Sequence, residues 1–172
     1  RLRRNVARGT ATSFIMTASG SVRMPFSRAS LTGRELEYVG QAIRIAQLAG
    51  DQTFTKHCES LLERELGAER VLLTPSCTQA LEMAALLLEI GPGDEVIVPS
   101  FTFVSVANAF VLRGAKPVFA DIRRDTLNVD EAALDALITP RTKAIVVVHY
   151  AGVGCAMDGI LAVAAPRGIA VV

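Results

Sequence analysis

Short, nearly continuous runs of Val, Ile and Leu recur along the chain, and they constrain its fold more than any other feature. The runs are Val71–Leu73, Glu95–Val98, Pro117–Asp121, Ala144–Val148 and Gly168–Val172. Strands with both faces buried have this composition, whereas a strand with one face in water alternates apolar and polar residues. Helix-forming stretches separate the runs. The sequence therefore predicts an α/β fold, with a mainly parallel sheet and helices on both of its faces.

Four helices are predicted between these strands, each placed by turn and capping residues. They span approximately Ser76–Ile90, Val104–Arg113, Ala132–Leu137 and Met157–Ala165. Asn128 and Glu131, three residues apart, form a capping pattern ahead of the third helix. The window from Ala144 to Ala165 is apolar enough to suggest a membrane span. It contains His149, Asp158 and several glycines, however, so a buried strand, a loop and a helix are predicted there instead.

Two further helices precede this alternation. Thr32 and Glu35 form a capping-box pattern before a helix that is predicted to run to about Leu48 and to stop at Gly50. The second is predicted over Phe54–Leu66 and is closed by Gly67. We therefore divide this part of the chain into a helical segment, residues 24–67, and an α/β domain, residues 68–172. The last apolar run ends the sequence with no covering helix, which predicts that the domain is incomplete.

The first 23 residues differ in composition from the rest. Seven arginines and no acidic residue occur before Glu35, and the chain begins with Arg1. We predict that residues 1–23 are a non-native extension upstream of a natural start at Met24, or else a disordered extension of the native protein.

Charge, aromatic content and cysteine number exclude several classes of protein. The net charge is +1, tryptophan is absent and aromatic residues make up 5% of the chain, so no nucleic-acid partner is predicted. Cys58, Cys77 and Cys155 are odd in number and far apart. This spacing favours free thiols in a reducing cytoplasm over disulfides or a metal site. The expected protein is cytoplasmic, with no membrane and no metal.

Candidate site residues lie where the predicted strands end, because ligands of open α/β sheets bind at the carboxyl ends of the strands. Those positions carry Thr74–Thr78, Pro99–Phe103, Asp121 and His149–Tyr150. Free N–H groups at a helix start after Ser76, with the Ser76 and Thr78 hydroxyls, form an anion site. Helix capping alone accounts for the same residues equally well. Neither G-x-G-x-x-G nor G-x-x-x-x-G-K-[ST] is present.

Two aromatic residues follow the second strand. Phe103 is predicted to project over the anion site and to stack on a planar ring, whereas Phe101 is predicted to be a core residue beneath the next helix. A phosphate cradle with a stacking ring suggests a flat phosphorylated cofactor, and pyridoxal 5′-phosphate fits this description.

Three segments carry a resemblance to a known family. They read LLTPSCTQALEMAALLL, GDEVIVPSFTFVSVANAFVLRGA and VHYAGVGCAMD, at residues 72–88, 93–115 and 148–158. In these segments the chain resembles the DegT/DnrJ/StrS sugar aminotransferases, and the similarity extends over about residues 24–172. Cys77 and Cys155 favour the subgroup that makes a 4-amino sugar.

The resemblance implies the N-terminal part of the large domain of a fold-type-I transferase dependent on pyridoxal phosphate. It implies that Cys77 and Thr78 hold the cofactor phosphate and that Phe103 stacks on its ring. It also places Gly50–Phe54 near the nucleotide sugar, although no substrate-binding residue is assigned. The intact protein is expected to be a homodimer.

The same resemblance implies that parts of the catalytic apparatus lie beyond Val172. These are the Schiff-base lysine and the aspartate that pairs with the cofactor ring. The three lysines of the chain, Lys56, Lys116 and Lys143, do not match that lysine. We therefore expect an inactive piece of an aminotransferase. The implied substrate of the parent protein is dTDP-4-keto-6-deoxy-D-glucose, with L-glutamate as amino donor, for polysaccharides such as enterobacterial common antigen.

The sequence leaves two alternatives of other classes open. In one, Cys77 is a nucleophile at a helix start and His149 is its base. In the other, the chain is a non-catalytic phosphate-binding module.

Overall fold

The structure, a computed structural model, describes residues 29–172 in full. Of residues 1–28 it describes only two short strands, Ile15–Met16 (β1) and Val22–Arg23 (β2), which pair antiparallel. The predictions for residues 1–23 and for a start at Met24 fall mostly outside the described residues and stay predictions. The chain divides between Val71 and Leu72 into two compact units.

The first unit contains helices α1, Glu35–Arg44, and α2, Thr53–Leu66. The Glu35 carboxylate accepts hydrogen bonds from the N–H groups of Thr32 and Gly33, so the predicted contact of Thr32 with Glu35 forms. The N-cap of α1 is Arg34, however, and its side chain makes no capping hydrogen bond. A hydrogen bond from the backbone N–H of Glu35 itself, followed by those from Thr32 and Gly33, lowers the pKa of Glu35 to about 2. α1 ends four residues before the predicted Leu48, because Ala46 adopts a left-handed φ of 54° that a helix does not accommodate. α2 ends at Gly67 as predicted, with a φ of 63°.

The second unit is built on a four-stranded parallel sheet. Its strands are β3, Glu95–Pro99; β4, Lys116–Ala120; β5, Thr142–Ile145; and β6, Ala170–Val171. They lie in the order β4-β3-β5-β6. The predicted parallel sheet is therefore confirmed, and β3 and β5 are its central strands.

Four helices connect and cover the strands. They are α3, Cys77–Leu87; α4, Ser105–Val111; α5, Leu134–Leu137; and α6, Met157–Ala164. Successive side chains of a strand point to opposite faces of the sheet. Val96 and Val98 of β3 accordingly pack with Phe110 of α4, whereas Ile97 packs with Leu134 and Ile160. Helices on both faces are thus confirmed, and the two faces carry two separate cores.

The predicted first strand, Val71–Leu73, is wrong. In the described chain none of the four sheet strands pairs with it, and Leu72 and Leu73 are 59% and 43% exposed. An apolar run becomes a strand only where a neighbouring strand completes its backbone hydrogen bonds, which the run itself does not supply.

The sequence also predicted the wrong capping residue before α5. Asp130, not Asn128, caps the short 3-10 turn Glu131–Ala133 that leads into α5, accepting from the N–H of Ala132 at 3.1 Å. Asn128 is buried and uses its side chain elsewhere in the unit. The apolar window from Ala144 to Ala165 holds the end of β5, a loop and α6, as predicted, although β5 ends at Ile145 and not at the predicted Val148. Among the residues that the structure describes, no helix is both long and apolar enough to cross a membrane.

Candidate active site

A cleft opens at the carboxyl ends of the two central strands. After β3 the chain moves outward to β4 through α4, and it then returns on the other side of β3 to form β5. The connection after β3 therefore covers one face of the sheet, and the connection after β5 covers the other. The two connections diverge where they leave the sheet, which leaves a gap between them. A crevice between such strands is the usual ligand site of an open α/β sheet.

The cleft has a volume of about 690 Å³, within the range of small-molecule and cofactor sites. Its floor is apolar and comes from the segment that follows β5, where Val146, Val147 and Val148 line the cleft. The polar lining consists of hydroxyl and thiol groups, from Cys77, Thr78, Thr102, Ser105 and Tyr150. None of the thirteen described lining residues carries a charged side chain.

The N-terminus of α3 forms one wall. Ser76 is its N-cap, and its hydroxyl accepts a hydrogen bond from the N–H of Gln79 at 3.3 Å. The Thr74 hydroxyl donates to the Ser76 carbonyl at 2.9 Å and holds the preceding turn. The first N–H groups of a helix have no acceptor within it. Those of Cys77 and Thr78 donate to no described residue, so they are available to an anion in the cleft.

Aromatic rings also line the cleft. Phe103 lines the cleft and is 74% exposed. Phe101 also lines it, and its ring centroid lies 5.0 Å from that of Tyr150, with the planes tilted by 51°. The expectation that Phe101 is a core residue is wrong. The segment after β3 leaves the sheet before it reaches Phe101, which is 44% exposed.

The structure brings together the three residues predicted to bind the cofactor. Cys77, Thr78 and Phe103 line the same cleft, although they come from two segments of the chain. Their roles remain predictions. Asp121 and His149, which also follow strands, do not line the cleft.

Lys116 and Lys143 lie at the other end of the sheet, where the sequence predicted them. Lys116 Nζ is 3.5 Å from a carboxylate oxygen of Glu95, and Lys143 Nζ donates to the Glu89 carbonyl at 2.8 Å. Lys56 belongs to α2 in the other unit. No described lysine therefore lines the cleft.

The proposed pair of Cys77 with His149 has no support in the geometry. Nδ1 of His149 accepts a hydrogen bond from the N–H of Cys155 at 3.1 Å, so the lone pair at that nitrogen is already engaged. Cys77 lines the cleft and His149 does not. No histidine, carboxylate or lysine is among the described residues that line the cleft with Cys77.

Sequence reasoning assigned no role to Tyr150 or to the apolar floor. Tyr150 follows the β5 segment, so its position at a strand end was the available signal. Its contact with Phe101 depends on β3 and β5 being neighbours, which the sequence does not state.

Comparison with known proteins agrees with this arrangement. Residues 30–172 match the DegT/DnrJ/EryC1/StrS aminotransferase family. The chain belongs to this family. The resemblance predicted from the three sequence segments is therefore confirmed, and so is the α/β fold class.

Individual relatives cover the same region. The chain is 42% identical over 149 residues to the spore coat polysaccharide biosynthesis protein SpsC of Bacillus subtilis (strain 168), which covers 85% of this chain and 37% of SpsC. Spr1654 from Streptococcus pneumoniae, described as a sugar aminotransferase, is 34% identical with a TM-score of 0.76, over 84% of this chain and 36% of Spr1654. It is known in PLP and PMP forms.

An aminotransferase from Psychrobacter cryohalolentis is 34% identical with a TM-score of 0.79, over 86% of this chain and 38% of that protein. The chain thus spans less than two fifths of the length of each of these three relatives.

Proposed function

We propose that this chain is the cofactor-binding part of an aminotransferase that depends on pyridoxal phosphate and acts on a nucleotide-linked keto sugar. The observation that carries the proposal is the cleft at the carboxyl ends of β3 and β5, which a helix N-terminus and exposed aromatic rings line together. Membership of the aminotransferase family supports it, as do the PLP and PMP forms of Spr1654.

The cleft residues fit a flat phosphorylated ring. The N–H groups of Cys77 and Thr78, which donate to no described residue, would hold the phosphate together with the Thr78 hydroxyl. An anion is also favoured there by the positive end of the helix dipole. Phe103, which is largely exposed, would cover the ring by stacking.

Pyridoxal phosphate supplies an electron-withdrawing ring on which an amino group passes from donor to acceptor. The described residues would bind and orient that ring. The valine floor, Val146–Val148, would keep water from the buried side of the cleft.

The described cleft contains no amine and no carboxylate. We therefore propose that the groups that carry protons, and the lysine that attaches the cofactor, come from a part of the protein other than residues 29–172. The 172-residue chain accordingly binds the cofactor but has no transaminase activity of its own.

For the complete protein we propose dTDP-4-keto-6-deoxy-D-glucose as the acceptor, L-glutamate as the donor and a homodimer as the assembly. The relation to SpsC, named for spore coat polysaccharide biosynthesis, supports a product that enters a cell-surface polysaccharide.

The test uses the complete gene product and the 172-residue chain side by side. The complete protein is expected to develop a visible absorption band with pyridoxal phosphate and to transfer the amino group of L-glutamate to the keto sugar. The 172-residue chain is expected to give no turnover. A complete protein that neither binds pyridoxal phosphate nor transaminates any nucleotide-linked keto sugar would refute the proposal.

A further inference from the structure

Asn128, in the loop between β4 and α5, is buried and uses both ends of its side-chain amide. The N–H of Tyr150 donates to Oδ1 at 2.9 Å, and Nδ2 donates to the carbonyl of Val153 at 2.9 Å. A backbone N–H can only donate and a carbonyl can only accept. The orientation of the amide is therefore fixed by its partners.

The two hydrogen bonds clamp the turn 149–153, which follows the β5 segment. Within the turn, Ala151 has a φ of 51° and Gly152 a φ of 83°. Such a φ is uncommon for a residue with a Cβ and persists only where the surroundings hold it. The turn also closes on itself, with the Gly152 N–H donating to the His149 carbonyl at 3.2 Å and the Val153 N–H donating to the Tyr150 carbonyl at 2.9 Å.

The backbone on the Asn128 side is itself well held. The N–H of Arg123 donates to the Asn128 carbonyl at 2.8 Å, and Val129 pairs with Ile122 in an isolated antiparallel bridge. Asn128 thus connects a fixed segment after β4 to a turn whose conformation is unusual.

Tyr150 is the residue of that turn that reaches the cleft, where its ring lies 5.0 Å from the Phe101 ring. Asn128 does not line the cleft. We propose that Asn128 is a positioning residue: it holds the turn 149–153 so that Tyr150 packs against Phe101, and it thereby sets the affinity of the cleft for its cofactor. The affinity part rests on the proposed function.

The most informative variant is Asn128→Asp. An ionised aspartate can still accept from Tyr150 but presents an oxygen to the Val153 carbonyl, so the clamp fails. A protonated aspartate can donate to Val153 and accept from Tyr150, as asparagine does. Burial raises the pKa of such a carboxyl group, so the neutral form is accessible in mildly acidic buffer. The matched control is Asn128→Ala, which cannot restore either bond.

The binding experiment titrates the complete gene product with pyridoxamine 5′-phosphate at pH 8 and pH 5.5. At pH 8, Asn128→Asp is expected to bind the ligand about tenfold more weakly than wild type, because about one hydrogen bond is lost. At pH 5.5 its affinity is expected to return to that of wild type at the same pH. Asn128→Ala is expected to be weaker at both pH values. Dividing the affinity of each variant by that of wild type at the same pH removes the effects of pH that both proteins share. Those effects include the ionisation of the ligand. The ionisable groups that both proteins share near the site are His149, Tyr150 and Cys155 by the turn and Arg123, Asp130 and Glu131 by Asn128.

A second variant separates positioning from a general effect on folding. Tyr150→Leu is expected to weaken binding by itself, and Asn128→Asp added to it is expected to weaken binding no further. An equal loss in the presence and absence of Tyr150 would overturn the proposal.

A measurement without ligand keeps the inference separate from the proposed function. With 3-fluorotyrosine incorporated, the ¹⁹F resonance of Tyr150 is assigned by its absence in Tyr150→Phe. We expect that resonance to move toward the value of an exposed tyrosine in Asn128→Asp at pH 8 and to return at pH 5.5. An unchanged resonance in both Asn128 variants would refute the positioning role. Failure of wild type to bind pyridoxamine phosphate would instead refute the proposed function.

Discussion

Replacing Phe103 with alanine tests the stacking role directly, because its ring is already exposed. Phe103 is 74% exposed, so its removal takes little packing from the fold. A fully buried Phe covers about 150–250 Å², and a ligand stacked on one face would bury about 55–90 Å² of the exposed part. At about 25 cal/mol per Å², this contributes roughly 1.4–2.3 kcal/mol. Phe103→Ala is therefore expected to weaken cofactor binding by about 10- to 50-fold.

The assay is a titration of the complete gene product with pyridoxamine 5′-phosphate, which binds without a covalent bond, together with a thermal melt of the ligand-free protein. Phe119→Ala is the matched control, since Phe119 is 57% exposed on β4 and does not line the cleft. We expect the control to bind as wild type does and both variants to melt close to wild type. Unchanged affinity in Phe103→Ala, at an unchanged melting temperature, would refute the stacking argument.

Three further predictions follow from particular side chains. Thr78→Val is expected to weaken pyridoxamine phosphate binding by about 10- to 150-fold, the range for a hydrogen bond to a charged group, whereas Cys77→Ser, with its backbone N–H intact, is expected to change the same titration only a few-fold. Glu95 is hydrogen-bonded to Thr139 and Arg141, which lowers its pKa to about 2 from an ordinary 4.5. The ionised carboxylate therefore stabilises the fold above about pH 4.5, and this contribution disappears as the pH falls toward 2. Glu95→Gln is expected to lower the melting temperature at pH 7, with a difference from wild type that narrows below pH 4.5; a difference independent of pH would contradict this. Phe110 is fully buried between α4 and the sheet. Phe110→Ala is expected to lower the free energy of unfolding, measured in urea, by about 3–5 kcal/mol. A decrease below about 1 kcal/mol would contradict the assignment of Phe110 to the core.

Several local features could be predicted from neighbouring residues alone. Ser76 caps α3 because a short hydroxyl side chain reaches the N–H of Gln79 three residues on. Gly67 ends α2 because the left-handed φ of the helix terminus is easily adopted without a Cβ. The two-faced burial of β3 could be read from its unbroken apolar run. The two helix ends depend on contacts within a few residues of sequence, whereas the burial of β3 is visible in its composition although the residues that cover it are distant.

Other features needed distant partners. Asn128 and Glu131 have the spacing of a cap, yet Asn128 bonds to Tyr150 and Val153, 22 and 25 residues away. A side-chain amide serves equally well in a local cap and in a distant clamp, so its sequence neighbours do not decide between them.

The sequence by itself determined the succession of helices and strands from α3 to β6, since backbone propensity and apolar periodicity act over a few residues. Only the tertiary structure decided the order β4-β3-β5-β6, and with it the meeting of Phe101 with Tyr150 and of Cys77 with Phe103 in one cleft. It also excluded Val71–Leu73 from the sheet. Each of these outcomes depends on which strands pair and on which faces of the sheet the helices cover. Packing across the whole second unit determines both.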